Sequence, residues 1–432
     1  MARSRLARSL PWPLLGVALA ALALTATPPV AAAQGDDRCL SADLPPVDAP
    51  ARPLRFGITP GAAGTAGPSQ GAVAPENRTA AIAALQGLES PKRELVLRLN
   101  RLFWADGDEG IRRFAAMADE YGRAGLASEI QVRYHPPEGA EGDIDRWEGF
   151  VRRAVRELGP RPAVAGFSIT NEANFPVSPN TSDGAYDGVI DALVRGVAVA
   201  HEELVKLGRP DLPVGFNVAW RYTPDSDARF WTEIGRKATP AFRRGLGYVG
   251  LQVYPGLVWP PAERPGVTAG EETVEALTLI RRCYMPKAGL GGDVDLWVSE
   301  NGYATNQGRP EPRQAEQLDS TVRDVHRWSG TLGVTDYRYF NLRDNDSDGD
   351  DLFDAVGLLR DDYKPKPAYA VLGGLIGQLG REAGAAPIAP AGPGSRGRRV
   401  RPRVDFRVLP RADLRGRRRF AVRGRLLLPP AV

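Results

Sequence analysis

Short apolar runs alternate with longer amphipathic stretches through most of the chain. Leu54 to Ile58, Leu95 to Trp104, Ile130 to His135, Val164 to Thr170 and Val294 to Ser299 are of strand length and end in turn residues. Between the runs, residues 110–123, 144–158, 186–207, 273–283 and 314–328 space their apolar positions as helices do. Continued along the chain, this rhythm predicts strands near residues 55, 97, 131, 166, 215, 249, 296 and 337. Strand and helix in strict alternation place the chain in the α/β class with a parallel sheet, and eight repeats favour a closed (β/α)8 TIM barrel over an open doubly wound sheet. No Gly-x-Gly-x-x-Gly follows the first run, which argues against a dinucleotide fold.

The two ends of the chain depart from this rhythm. Arg3, Arg5 and Arg8 precede the apolar stretch Leu14 to Leu24 and the small residues Ala31, Ala32 and Ala33, the pattern of a secretory signal peptide over residues 1–33. A membrane span is the poorer reading, because Thr25, Thr27 and two prolines interrupt the run. Residues 34–53 then form an N-terminal extension and 54–380 the barrel. Residues 381–395 are an Ala/Pro/Gly-rich linker, and 396–432 a short basic, β-prone extension, a tail or incomplete β-module. The chain carries 43% hydrophobic residues and a net charge of +4, but its charge is uneven. The 13 arginines from Arg396 onward, against Asp405 and Asp413, make that end +11; removing it and the +3 leader leaves residues 34–395 at −10. The tail arginines are spaced by Val, Phe and Leu rather than clustered on a helix, so nucleic acid is not the expected partner. A secreted, extracellular protein, monomeric and free of the membrane once its signal is removed, is expected. Cys39 and Cys283 are the only cysteines; in an oxidising compartment they are a candidate disulfide, with two separate thiols as the alternative.

In a parallel barrel the residues just beyond each strand share one face, where active sites lie. Here those exits are Trp104, His135, Asn171 with Glu172, Trp220, Tyr254, Glu300, and Tyr339 with Asn341; Trp259 is a further rim candidate. Aromatic faces, amides and carboxylates together suit a glycan, whose rings stack and whose hydroxyls need hydrogen-bond partners. Glu172 and Glu300 each end a buried run, and paired carboxylates are what glycoside hydrolysis requires: one acid for the leaving oxygen, one carboxylate to attack or to activate water. Taken alone, each glutamate would serve equally as a cap on the following helix.

The order Arg98 on strand two, His135 ending strand three, Asn171-Glu172 ending strand four, Tyr254 ending strand six and Glu300 ending strand seven resembles glycoside hydrolase clan A, the superfamily of cellulases, mannanases and β-glycosidases. The two glutamates lie 128 residues apart. The closing segment Val356 to Tyr369, with its Pro-Ala-Tyr helix start, is similar to the last loop and helix of that clan. The resemblance covers residues 54–378 and implies a retaining O-glycosyl hydrolase of oligo- or polysaccharides, without a cofactor. In it Glu172 is the acid/base, Glu300 the nucleophile, Asn171 a binder of the hydroxyl beside the anomeric carbon, Arg98 a partner keeping Glu300 ionised, and Tyr254 its orienting tyrosine. The chain departs from common clan patterns in having Asn-Glu-Ala for Asn-Glu-Pro and Tyr-Phe-Asn341 where a Trp platform is usual, which leaves the exact family and the sugar open. A catalytically silent glycan-binding barrel and a transglycosylase using the same residues are the alternatives.

One metal motif stands out. Asp344-Asn-Asp346-Ser-Asp348-Gly349 matches the first half of a calcium loop, but the twelfth position is Ala355 rather than Glu. Calcium on Asp344, Asp346 and Asp348 competes here with a solvated acidic loop.

Overall fold

A computed structural model describes residues 44–61, 72–90, 92–177, 181–220, 223–258 and 260–382. The expected signal peptide, Cys39, Trp259, most of the linker and the basic tail lie outside the described residues, which fall within one compact unit, Ala42–Val432. Eight parallel strands close into a barrel in sequence order. They are β1 (Arg55–Ile58), β2 (Leu95–Phe103), β3 (Ala127–Arg133), β4 (Val164–Ile169), β5 (Val214–Ala219), β6 (Tyr248–Gln252), β7 (Asp295–Asn301) and β8 (Val334–Tyr339). β1 pairs with both β2 and β8, so the sheet has no edge.

The five amphipathic stretches read from the sequence become helices Gly107–Arg123, Ile144–Leu158, Val189–Lys206, Ala269–Leu279 and Glu311–Leu332 around the outside. Local chemistry fixes where helices start. Asn77, Asp143, Thr223 and Thr239 each accept a backbone N–H of the first turn, and Thr268 with Glu271 forms a capping box. Pro224, Pro240 and Pro367 stand at the first helical turn, where a missing N–H costs nothing. The outward sides of the strands and the inward stripes of the helices form the apolar core, with Trp147 and Trp231 its largest wholly buried aromatic residues. No helix among the described residues is long and apolar enough to cross a membrane.

Inside the barrel the pattern inverts, because the alternating inward positions are largely polar: Arg55, Arg98, Glu129, Gln131, Arg133, Asn217, Gln252, Asp336 and Arg338 are all buried. Two register shifts place functional residues on this inner side. In β7 the pairing steps from Leu251 opposite Val298 to Gln252 opposite Glu300, an extra residue that brings Glu300 beside Gln252. In β2 it steps from Leu99 opposite Ile130 to Leu102 opposite Val132, with Arg101 in the left-handed region at φ 71°.

Candidate active site

At the C-terminal mouth of the barrel is a cleft of about 230 Å³, whose walls include Asn171, Glu172, Trp220, Gln252, Tyr254 and Glu300. Glu300 is held on both carboxylate oxygens. Arg98 Nη1 donates to its Oε1 at 2.5 Å, Gln252 Nε2 to the same oxygen at 2.9 Å, and the Tyr254 hydroxyl to Oε2 at 2.6 Å. Arg98 is wholly buried, and its guanidinium pairs with Glu300 in an ion pair little exposed to water. Such charge-assisted bonds fix both the position and the rotation of the carboxylate. Burial and the Glu300 charge push the Tyr254 phenol well above its ordinary range, so it remains a donor.

Asn171 is fixed from every side. Its Oδ1 accepts from Gln252 at 2.7 Å, Gln131 at 2.8 Å and Arg98 at 3.3 Å, while its Nδ2 donates to the Thr181 carbonyl at 2.8 Å. Its backbone N–H donates to Asp183 Oδ2 at 2.8 Å. Asp183 is itself wholly buried, pairs with Arg133 at 2.8 Å and accepts the Tyr134 N–H at 2.8 Å. It thus ties the exits of β3 and β4 together.

Glu172 stands on a strained exit: Thr170 has φ 64° and Glu172 has φ 45°, values that residues with a side chain seldom adopt. The Glu172 N–H donates to Asn217 Oδ1 at 2.8 Å, which anchors this turn to β5. Loss of hydration raises the Glu172 carboxyl to about 8, and the nearby Glu300 charge pushes in the same direction, outweighing Arg133 and Arg98. At neutral pH the Glu172 carboxyl therefore keeps its proton. Glu172 is a protonated acid, while Glu300 accepts three hydrogen bonds from groups that already hold their protons.

The other expected residues divide. Trp220 reaches the cleft, half-buried. Trp104 does not: it turns away after β2 and stacks on Tyr134 at 5.6 Å and against Trp147 at 5.7 Å, as part of the core. His135 lies beyond the end of β3, with Nδ1 2.7 Å from the Tyr186 hydroxyl and its ring against Phe103, outside the cleft lining. Strand alternation explains the misplacement of Tyr339 and Asn341. Asp336, Arg338 and Phe340 point inward at the β8 end, so the two odd-numbered residues face away. The Tyr339 hydroxyl donates to the Val356 carbonyl at 3.1 Å, and Asn341 Nδ2 donates to the Arg343 carbonyl at 3.1 Å. Phe340 takes the cleft position instead, with Phe175 and Phe353 as further apolar lining.

Asp344, Asp346 and Asp348 do not gather into a cation site, and no metal-holding group occurs among the described residues. Asp344 is buried and already has a cation, Lys366 Nζ at 2.8 Å, together with the Gly357 N–H at 2.8 Å. Asp346 Oδ1 accepts the Asp348 N–H at 3.0 Å, a turn contact within the loop. Cys283 is disulfide-bonded; the only other cysteine, Cys39, is outside the described residues.

Sequence reasoning missed Gln131, Asp183, Asn217, Gln252, Arg101, Arg133 and Phe340. Asn217 and Gln252 had a legible signal, since each is an amide inside an otherwise apolar run and a buried polar group needs partners.

No protein-family model matches the chain, and no curated protein matches its sequence. Among solved structures, a GH5_18 protein from Streptomyces cattleya in complex with GlcNAc is similar, with 15% identity, a TM-score of 0.51, and 76% of this chain and 81% of that chain covered. A variant of that protein in complex with Manb1-4GlcNAc gives 16% identity and a TM-score of 0.53, covering 78% of this chain and 82% of that one. At such identities the likeness is one of fold. The resemblance to glycoside hydrolase clan A read from the sequence holds at that level.

Proposed function

We propose that this protein is a glycoside hydrolase that cleaves β-linked glycans with retention of configuration. The observation that carries the reading is the contrast between two glutamates in one cleft: Glu172 raised to about 8 and Glu300 fixed by Arg98, Gln252 and Tyr254. An acid and a nucleophile must differ in this way at one pH. In the first step the Glu172 carboxylic acid protonates the departing glycosidic oxygen while a Glu300 oxygen attacks the anomeric carbon, forming a glycosyl ester. In the second step Glu172, now a carboxylate, takes a proton from water, which displaces Glu300 and restores both groups.

The contacts of Glu300 suit this cycle. As its charge moves to the anomeric carbon, the Arg98 and Tyr254 donors remain aimed at the carboxylate that must re-form on departure. Asn171 Nδ2 carries two hydrogens, of which Thr181 takes one; the other is suited to a hydroxyl beside the anomeric carbon. Trp220, Phe175, Phe340 and Phe353 provide apolar faces for sugar rings. The basic leader and small-residue cleavage site favour export, so a glycan outside the cell is the natural substrate.

A panel of aryl β-glycosides and polysaccharides tests the reading. Glu300→Ala should abolish turnover while the fold persists by circular dichroism. Glu172→Ala should slow it about 10²–10⁴-fold, much less on aryl glycosides with good leaving groups. Proton NMR of the first product formed should show the β anomer; an α anomer would exclude double displacement. Turnover by both variants at the parent rate would exclude the assignment.

A further inference from the structure

On its β5 side, the turn that carries Glu172 is not held by the sheet. Registered pairing between β4 and β5 covers Phe167 opposite Val214 and Ser168 opposite Gly215, whereas β5 and β6 pair at five positions, out to Ala219 opposite Gln252. Beyond Ser168 the β4 exit has parted from β5, and the backbone there enters the left-handed region at Thr170 and Glu172. Such conformations persist only where surrounding contacts over-determine them.

Two side-chain amides bridge the gap. Asn174 exchanges a pair of hydrogen bonds with Ala219, its Nδ2 donating to the carbonyl at 2.9 Å and its Oδ1 accepting the N–H at 2.9 Å, as a backbone peptide would. Asn217, wholly buried in β5, reaches the turn itself: its Oδ1 accepts the Glu172 N–H at 2.8 Å, and its Nδ2 donates to the Thr170 carbonyl at 3.4 Å and to Ser168 Oγ at 3.2 Å. Both strained residues are thus bound to one side chain. Asn217 Oδ1 also lies 3.0 Å from Gln252 Nε2, but that nitrogen has two hydrogens for three acceptors, and Asn171 at 2.7 Å and Glu300 at 2.9 Å are the nearer ones. The contacts of Glu300 with Gln252, Arg98 and Tyr254 therefore do not depend on Asn217, whereas the seat of Glu172 does.

Resting on the glycosidase reading, we propose that Asn217 is a positioning residue: it stands in for the missing β5 backbone and holds Glu172 in the orientation from which its acid reaches the leaving oxygen. Asn217 is wholly buried and outside the cleft lining, so it acts through Glu172 and not on the substrate. Without it the turn relaxes toward ordinary backbone angles, and a displacement of about 1 Å at a reacting group is enough to cost on the order of 10²-fold in rate. Its removal impairs the acid and leaves the nucleophile in place.

Full-length Asn217→Ala and Asn217→Val provide the test, the second with the β-branched shape that a strand favours. The probes are the phenyl and dinitrophenyl β-glycosides of a sugar that the parent hydrolyses; phenol needs a proton to leave and dinitrophenol does not. For both variants kcat/KM on the phenyl glycoside should fall about 10²-fold or more, while that on the dinitrophenyl glycoside stays within about threefold of the parent. A 2-fluoro form of the dinitrophenyl glycoside, which labels Glu300 without help from an acid, should react at close to the parent rate, and the labelled fraction by mass spectrometry counts folded sites. A similar loss on both glycosides, no loss on the phenyl glycoside, or failure of both variants to label would overturn the inference, the last by making Asn217 a requirement of the fold. The glycosidase reading fails separately: a parent that hydrolyses no glycoside, or whose turnover survives Glu300→Ala, sinks that reading and this inference with it, whereas Glu300-dependent turnover with a loss blind to the leaving group sinks only this one.

Discussion

Glu300 accepts hydrogen bonds from a guanidinium, a phenol and an amide, whereas the neighbours of Glu172 leave its carboxyl short of water and close to another carboxylate. This difference has a measurable pH signature. Protonation of the leaving group requires the acid form of Glu172, which is lost as pH rises through about 8, so kcat/KM should fall on the alkaline side near that value. With a substrate whose leaving group needs no proton, the alkaline fall should be weak in the first step. Stability should carry the same signature. The folded value lies above the value of about 4.3 in an unfolded chain, so the protonated carboxyl favours folding fully below about 4.3, and that contribution is lost progressively up to about 8. Thermal melts of parent and Glu172→Gln protein should therefore nearly coincide in relative terms at pH 4 and diverge in favour of the variant up to pH 8, with no further divergence above. A constant difference across that range would show that Glu172 is not displaced in the folded state.

The element scale explains which residues were legible in the sequence. Apolar runs and helical periodicity located all eight strands and the five amphipathic helices, because burial between barrel and helices imposes a strong pattern. The strand-end rule named Asn171, Glu172, Tyr254 and Glu300, which the structure brings into one cleft, and Trp104, His135, Tyr339 and Asn341, which it does not. Side-chain direction depends on alternation and on bulges, and the extra residues in β2 and β7 leave no mark in composition. Asp183 was hidden for another reason: it sits in a short 3-10 turn, Asp183–Ala185, and acts through tertiary contacts with β3 and Asn171. The acidic loop after β8 shows the same limit of motif reading. Its first aspartate serves Lys366, whose Nζ also donates to Thr305 Oγ1 at 2.7 Å and to the Ala355 carbonyl at 3.2 Å. Lys366→Met should leave the Asp344 carboxylate buried without its cation and cost roughly 3–5 kcal/mol in urea unfolding. Adding Asp344→Asn should recover a large part of that loss, and calcium should not substitute for the missing lysine.

At the scale of the whole molecule, an ionic network below the cleft links the strands that close the barrel. Arg338 Nη2 donates to Asp336 Oδ1 at 2.7 Å, its Nε to Glu129 Oε2 at 3.2 Å, and its Nη1 to the Arg55 carbonyl at 2.9 Å. Arg55 Nε reaches the same Asp336 oxygen at 2.6 Å, and the Tyr248 hydroxyl donates to Glu129 Oε1 at 3.0 Å. The Trp297 ring lies 5.0 Å from the Arg55 guanidinium and 5.1 Å from that of Arg338. Strands β1, β3, β6, β7 and β8 are thus joined across the interior, including the first and last, whose pairing completes the ring. Gly57 makes the room: a Cβ there would lie 2.4 Å from Arg338 Cδ and 2.3 Å from the Val96 carbonyl oxygen. Such a network is costly to break from one side, because the partners left behind stay buried and charged. Arg338→Met should therefore lower the urea midpoint by an amount equivalent to roughly 3–5 kcal/mol, in one cooperative transition because the barrel is a single closed sheet. Glu129→Gln alone should also destabilise, by uncovering part of the Arg338 charge. The double variant should cost less than the sum of the two, since each removes part of the other's unpaired charge. Strict additivity in that cycle would mean that Glu129 and Arg338 share no energetic contact, and that backbone pairing alone closes the barrel.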